Sequence, residues 1–321
     1  MQKEMVLNYL ERSRGSYVSG GDIARALGVS RNSVWKVIKS LEEQGYKFKK
    51  STRLGYMLLE ENDELTISGV TRYLKDGYVR KVEIFEILES TNSYLMQKAS
   101  LGEEGNLLVI ARTQSGGRGR KGRSFHSPSG GVYFSVLLRP SKEFKGAPYL
   151  TCMAAVSVMD AIKEVYGVEC GIKWVNDIYI GDRKCAGILT EATIDFESGS
   201  ISHAVVGVGI NVKEPSGGFP KEIRDIACAI GKECPDGKNR LIGAVVNNLM
   251  DTLNCFEYDQ TQVMDRYREG SMLIGRKVLV KRDTGDKRAK CLGITDEGYL
   301  EVEYSDGTKE ELFFGEVSLK L

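Results

Sequence analysis

The densest chemistry in the chain lies in eleven consecutive residues, Thr113-Gln114-Ser115-Gly116-Gly117-Arg118-Gly119-Arg120-Lys121-Gly122-Arg123. Four glycines let the backbone turn and approach a ligand closely, so that successive N–H groups can point at an anion. Three arginines and a lysine add cations, and the guanidinium fork matches carboxylate or phosphate. Such a segment suits a site where an anionic carboxylate is brought against an anionic phosphate. Glycine- and arginine-rich stretches also bind RNA as disordered segments. This one is short and sits between the β-rich runs 107–111 and 132–138, which makes it an ordered connection within a sheet. It lacks the G-x-x-x-x-G-K-[ST] spacing of a phosphate-loop NTPase. With two histidines, His126 and His203, a histidine metal centre or a Ser/His/Asp triad has little to draw on.

The elements that must hold this segment are read from periodicity. Apolar β-rich runs at 82–88, 106–111, 132–138, 178–180, 185–194 and 204–212 are interrupted by a long apolar-striped helix near 148–166. This is an α+β layout, a mixed or mostly antiparallel sheet with helices laid on it. Gly181-Asp182 suits a two-residue hairpin turn that delivers Arg183 and Lys184 at the start of the next strand. Two helical stretches near 241–267 precede a tail, 271–321, whose Asp296-Glu297-Gly298 and Ser305-Asp306-Gly307 are hairpin signals and predict a small SH3-like barrel.

At 321 residues two or three domains are expected, read as 1–60, 61–270 and 271–321, with the acidic stretch Glu60–Glu64 as a linker. The seven cysteines (Cys152, Cys170, Cys185, Cys228, Cys234, Cys255, Cys291) hold no C-x-x-C pair and read as reduced packing thiols. The N-terminus is charged within four residues and no apolar run approaches the ~18 residues of a membrane span, so a cytoplasmic protein is expected.

The formal net charge of +1 conceals an asymmetry: residues 1–60 carry 11 Lys/Arg against 6 Asp/Glu, and the remainder 34 against 38. The basic head has the spacing of a helix-turn-helix. Asp22–Leu27 reads as a short helix closed by Gly28-Val29. Ser30 caps a second helix with apolar residues at Val34, Val37, Ile38 and Leu41, and Gly45 ends it. Off that stripe lie Arg31, Asn32, Lys36 and Lys39, types that contact phosphates or base edges in a major groove. Residues 46–58 read as a hairpin wing with a cationic tip. A solvated protein-contact module is the plainer alternative; geometry and charge together favour DNA.

Five segments taken together resemble one family: Glu89-Ser90-Thr91-Asn92-Ser93, Gly117–Arg123, Lys173-Trp174-Val175-Asn176-Asp177, Arg183–Leu189 and Gly207-Val208-Gly209-Ile210-Asn211. In this order and spacing they are similar to the bifunctional bacterial biotin protein ligases, over essentially the whole chain. The resemblance implies a fold like that of class II aminoacyl-tRNA synthetases and a two-step reaction. Biotin carboxylate attacks the α-phosphate of ATP to give biotinyl-AMP, and a lysine of a biotin carboxyl carrier protein then displaces AMP. It implies Ser90, Thr91, Asn92, Gln114, Arg118, Gly119, Arg120, Lys184 and Gly187 around biotin, with Lys184, Arg118 and Arg120 assisting the chemistry. Arg123, Phe125, Asn176, Asp177 and Asn211 are implied around the nucleotide, with Mg2+ accompanying ATP and no metal ligands assigned. Phe125 stands where the family often has tryptophan, and Val175 where it commonly has proline. The segment 214–223 is a loop that could order over the adenylate. The implied partners are biotin, ATP, the carrier domain of acetyl-CoA carboxylase or other biotin enzymes, operator DNA, and a second copy of the chain once adenylate is bound. A non-catalytic biotin-sensing repressor and a lipoate-type ligase are the alternatives.

Overall fold

The computed structural model describes residues 2–43, 45–60, 62–139, 147–194, 201–255, 261–282, 285–313 and 315–318. They form two units, residues 1–74 with 233–243, and residues 75–232 with 244–321.

In the first unit, α1 (Gln2–Arg12), α2 (Gly20–Leu27) and α3 (Arg31–Glu43) close on a hairpin of β1 (Phe48–Ser51) and β2 (Gly55–Leu58). Val6, Leu10, Ile23, Val34, Ile38, Leu41 and Leu58 supply the core, so the predicted stripe of α3 is its buried face. Ser19 caps α2 by accepting from Asp22 N, and Gly28 ends it in the left-handed region at φ 65°. Ser30 Oγ then accepts from Ser33 N at 3.0 Å, starting α3 as predicted. At Gly55 (φ 97°) a Cβ would lie 2.2 Å from Val18 O, so this corner of the wing admits only glycine.

The acidic stretch after the wing is tied down. Asn62 is buried and its amide bonds both Lys47 N (2.6 Å) and Lys47 O (3.0 Å). Beyond it, α4 (Ile67–Thr71) starts at Thr66, whose hydroxyl accepts from Gly69 N. A buried ionic cluster organises this end of the unit: Arg14 pairs with Glu11 at 2.7 Å and Asp236 at 3.1 Å, and donates to Asn62 O at 3.0 Å. Asp236 also receives Arg72 and Asn239, each at 2.6 Å. Every buried charge here has a partner, which is the condition for burying it at all. Glu61 lies outside the described residues.

The second unit is built on a seven-stranded mixed sheet. It comprises β3 (Lys81–Leu88), β4 (Leu107–Gln114), β5 (Val132–Leu138), β6 (Gly171–Lys173), β7 (Asp177–Ile180), β8 (Arg183–Ile194) and β9 (Ile201–Ile210), in the order β3-β4-β5-β9-β8-β7-β6. Only β3 and β4 are parallel, and the crossover between them contains α5 (Thr91–Ser100). β5 is buried along its whole length, as its uninterrupted apolar run requires. The turn at Gly181 has φ 56° and joins β7 to β8, placing Lys184 as predicted. The Trp174–Val175 peptide is cis. Helices α6 (Ala147–Tyr166), α7 (Gly237–Cys255) and α8 (Thr261–Gly270) follow the predicted stripes.

The tail holds β10 (Lys277–Lys281), β11 (Lys287–Ile294), β12 (Leu300–Tyr304), β13 (Lys309–Leu312) and β14 (Glu316–Ser318), an antiparallel sheet ordered β13-β12-β11-β10-β14. The described pairings are those of a sheet rather than of a closed barrel. Trp174 Nε1 donates to Gly298 O at 2.9 Å, fixing this sheet to the strand ends it follows. Six described cysteines are free thiols, four of them buried, and the side chain of Cys255 lies outside the described residues. No described helix is long and apolar enough to cross a membrane.

Candidate active site and nucleic-acid interface

The fourteen residues expected around biotin and nucleotide all line one cleft of ≈ 940 Å³ in the second unit. Its floor is the β8–β9 ladder, where Gly187 pairs with Gly209. A Cβ at Gly209 would lie 2.5 Å from Phe125 Cε1, and one at Gly187 only 2.9 Å from Lys184 Nζ. The two bare positions therefore let an aromatic ring and an ammonium lie directly on the sheet. Lys184 Nζ stands 5.5 Å from the Phe125 ring centroid and 2.6 Å from Asp177 Oδ1.

The glycine-arginine segment is ordered, as expected of a connection within a sheet. Phe125 N donates to Gly117 O at 2.8 Å and Gly119 N to Arg123 O at 2.7 Å, with isolated bridges Gln114–Ser127 and Arg118–Ser124. This folds the segment back on itself and turns Arg118, Arg120 and Arg123 to the cleft. Arg120 reaches Asn176 Oδ1 at 3.4 Å, and Asn176 is itself held by Ile188 O at 2.7 Å. Burial lowers the Arg120 guanidinium below its ordinary range, opposed by the nearby Asp177 charge; an arginine so placed keeps its proton. Arg118 pairs with Glu191 at 3.0 Å and donates to Ser93 Oγ at 3.3 Å.

At the other end of the cleft the polar residues of α5 are already engaged. Ser90 is the N-cap of α5. Thr91 N donates to Gln114 Oε1 at 2.9 Å, and Gln114 Nε2 to Ser127 Oγ at 3.0 Å. Asn92 gives its amide hydrogens to Leu189 O (3.1 Å) and Glu191 Oε2 (3.0 Å), while its Oδ1 accepts from Ser135 Oγ at 2.6 Å. A Cβ at Gly207 would fall 1.9 Å from Asn92 Oδ1, so the glycine of β9 is what admits this amide. Asn211 is buried and donates to Cys228 O at 3.1 Å.

Sequence reading missed several residues of the cleft. Lys173, Tyr179 and Trp174 come from the short strands β6 and β7 and the turn between them, and Arg276 and Lys277 reach it from the start of the tail sheet. Phe219 and Ile223 come from the segment expected to lie over the adenylate. Glu191, which holds the lining residues Arg118 and Asn92 from behind, was hidden because one acidic residue in an alternating strand carries no signal of its own. The lining contains eight lysines and arginines against two aspartates, so the cleft selects for anions. Among the described residues no three His, Cys, Asp or Glu side chains are grouped to hold a metal.

On the first unit, Arg31, Asn32, Lys36 and Lys39 are exposed on α3, while Val34, Ile38 and Leu41 are buried. The wing adds exposed Lys49, Lys50 and Arg53. Arg31 lies across Gly21 of α2, where a Cβ would be 2.7 Å from Nη2.

Three family models match the chain: the biotin/lipoate A/B protein ligase family over residues 84–211, an HTH domain over 3–57, and the biotin protein ligase C-terminal domain over 273–320. Fold and cleft thus define a ligase of the biotin/lipoate class, carried on one chain with a helix-turn-helix head. The chain is 32% identical over 320 residues to the bifunctional ligase/repressor BirA of Bacillus subtilis, covering 97% of this chain and 96% of that protein. It belongs to that family of bifunctional ligase/repressors. It is also similar to the biotin–[acetyl-CoA-carboxylase] ligase of Mycobacterium tuberculosis, 28% identical and covering 67% of this chain and 84% of that one. Among solved structures, the biotin protein ligase from Aquifex aeolicus in complex with biotin and ATP matches with a TM-score of 0.63 and 27% identity, over 74% of this chain and 98% of that chain.

Proposed function

We propose that the chain joins biotin to a lysine of a biotin carboxyl carrier protein in two steps and that the same chain represses transcription through its head. In the first step a biotin carboxylate oxygen attacks the α-phosphorus of ATP and pyrophosphate leaves. In the second the carrier's lysine amine attacks the biotinyl carbonyl and AMP leaves. Both steps bring negative groups together, so the demand is for fixed positive charge more than for a proton shuttle.

The observation that carries this reading is the cation set on a glycine floor. Lys184 has three donors, of which Asp177 takes one, leaving two for the biotin carboxyl oxygen. Arg118 and Arg120 close over the carboxylate and the phosphate. Phe125 offers the adenine a face, and Arg123, Asn176, Asp177 and Asn211 surround the nucleotide. Thr91, Asn92 and Gln114 stand at the ureido end, where a ligand has to share Asn92 with Glu191. Mg2+ would arrive with the nucleotide: Asp177 can give it one oxygen, and phosphates and water the rest, the usual manner of this ion. When bound, the ion neutralises phosphate charge.

The acceptor is a carrier domain of acetyl-CoA carboxylase or a similar biotin enzyme. ATP, carrier and operator DNA meet in the cytoplasm, where the chain works. Bound adenylate favours a homodimer whose paired heads grip a palindromic operator. Incubation with ATP, biotin and a carrier domain, read by intact mass, tests the enzyme. One biotin added to the carrier supports it, and an unchanged carrier overturns it. Lipoic acid offered in parallel separates the lipoate reading.

A further inference from the structure

The chain has two tryptophans, and the structure treats them oppositely. Trp174 is buried at 5% exposure with its indole N–H bonded to Gly298 O. Trp35, on α3, is 48% exposed. Of its four neighbours at three- and four-residue spacing, Arg31, Asn32 and Lys39 are exposed and Ile38 is buried; with exposed Lys36 alongside, a large apolar ring sits at the cationic face of the helix. The Lys39 ammonium lies 5.8 Å from the ring centroid. The core of the unit takes Val34, Ile38 and Leu41 from α3 and does not include Trp35.

We propose that Trp35 is a sequence-reading residue of the operator interface, making apolar contact with a thymine C5-methyl group in the major groove. Arg31, Lys36 and Lys39 answer the phosphates, which carry no sequence information and fix only register. The thymine methyl is the apolar feature of the base edges in that groove, and an uncharged ring among cations is the group to meet it. The surrounding cations, which need anions evenly spaced along the helix face, argue for the phosphates of DNA as the occupant.

The test uses the full-length chain with biotin and ATP present, and duplexes selected by it from a random-sequence pool. In a selected duplex, replacing a particular thymine by deoxyuridine removes only the methyl group. The expected result is a loss of roughly 3- to 10-fold in wild-type affinity at one thymine per half-site, with no further loss in Trp35→Ala at that position. W35A should keep the wild-type salt slope because it removes no charge, whereas Lys39→Ala should lower that slope by about one phosphate's worth. W35F, which retains an apolar ring, should lie between wild type and W35A. Unchanged resistance of residues 2–58 to trypsin in W35A serves as the check on folding of the head, and biotin transfer at the wild-type rate as the check on the catalytic unit. The proposal fails if W35A binds the selected duplex as wild type does, or if the deoxyuridine penalty persists in W35A. It also fails if W35A alters dimerisation while leaving DNA affinity intact, which would assign the ring to a protein contact. The inference rests on the repressor reading of the head: a pool in which wild type enriches no sequence overturns that reading and this one with it, whereas enrichment together with any failure named above overturns this one alone.

Discussion

The Lys184 ammonium sits 2.6 Å from Asp177 Oδ1, so the chain places a carboxylate of its own beside the cation proposed to meet the acid substrate. Arg118 shows the same relationship with Glu191 at 3.0 Å. The cleft thus holds strongly cationic groups without leaving them bare, and an anionic substrate exchanges with, or joins, an existing pair.

Removal of the ammonium should strike the chemical step. Lys184→Ala is expected to lower kcat for adenylate formation by about 10²- to 10³-fold, the usual effect of deleting one preorganised donor at a developing charge. Lys184→Arg keeps the charge but misplaces it, and should fall between. Biotin-dependent pyrophosphate release at saturating substrates measures both.

Glu191→Ala should loosen the glycine-arginine segment without unfolding the protein. The Arg118–Glu191 pair is partly exposed, with side chains 50% and 24% accessible, so its worth to stability is at most about 1 kcal/mol. The expected outcome is a melting temperature within about 3 °C of wild type together with faster tryptic cleavage between residues 118 and 123. Unchanged cleavage would remove Glu191 as the anchor of that segment.

Ser135, fully buried on β5, links Thr91 Oγ1 at 2.7 Å to Asn92 Oδ1 at 2.6 Å. Ser135→Ala removes the one hydroxyl hydrogen shared between these two oxygens and leaves Asn92 Oδ1 a buried acceptor without its donor, while Thr91 Oγ1 keeps its bond to Gln114, and should cost about 1–3 kcal/mol. Because Asn92 stands at the end of the cleft proposed for the ureido ring, KM for biotin should rise more than KM for ATP. Denaturant unfolding and steady-state kinetics read the two effects separately.

The head should respond to acid through Asp236. Burial raises its carboxyl above the ordinary aspartate value of 3.8, outweighing the hydrogen bond from Asn239 and the charges of Arg14 and Arg72. The folded chain therefore holds this proton more tightly than the unfolded chain. The contribution of Asp236 to stability is greatest below 3.8 and declines as pH rises through the raised value. Asp236→Asn removes the titration, so the gap in melting temperature between wild type and variant should change across that window and be constant above it.

Much of this was legible because local signals agreed with the fold. The Ser30 cap, the Val34–Leu41 stripe, the uninterrupted run of β5 and the Gly181 turn each state one element's geometry in adjacent residues. Elements whose signals compete were not legible. Helix α5 begins in Ser90-Thr91-Asn92-Ser93, a polar run that reads as ligand donors, yet the same residues cap the helix and bind one another. Asn62 sits in an acidic stretch that reads as linker, but its amide closes on Lys47 and its carbonyl takes Arg14. Arg276 and Lys277 enter the cleft from the far end of the chain, a placement set by tertiary packing alone.

The cationic, glycine-floored cleft is proposed to join two acids into a mixed anhydride. Exchange of labelled pyrophosphate into ATP tests it most directly, since it reports only the reversible first step and needs no carrier. Exchange should require biotin and be lost in Lys184→Ala and in Arg120→Ala. Absence of biotin-dependent exchange by the wild-type chain, or its full retention in both variants, would contradict it.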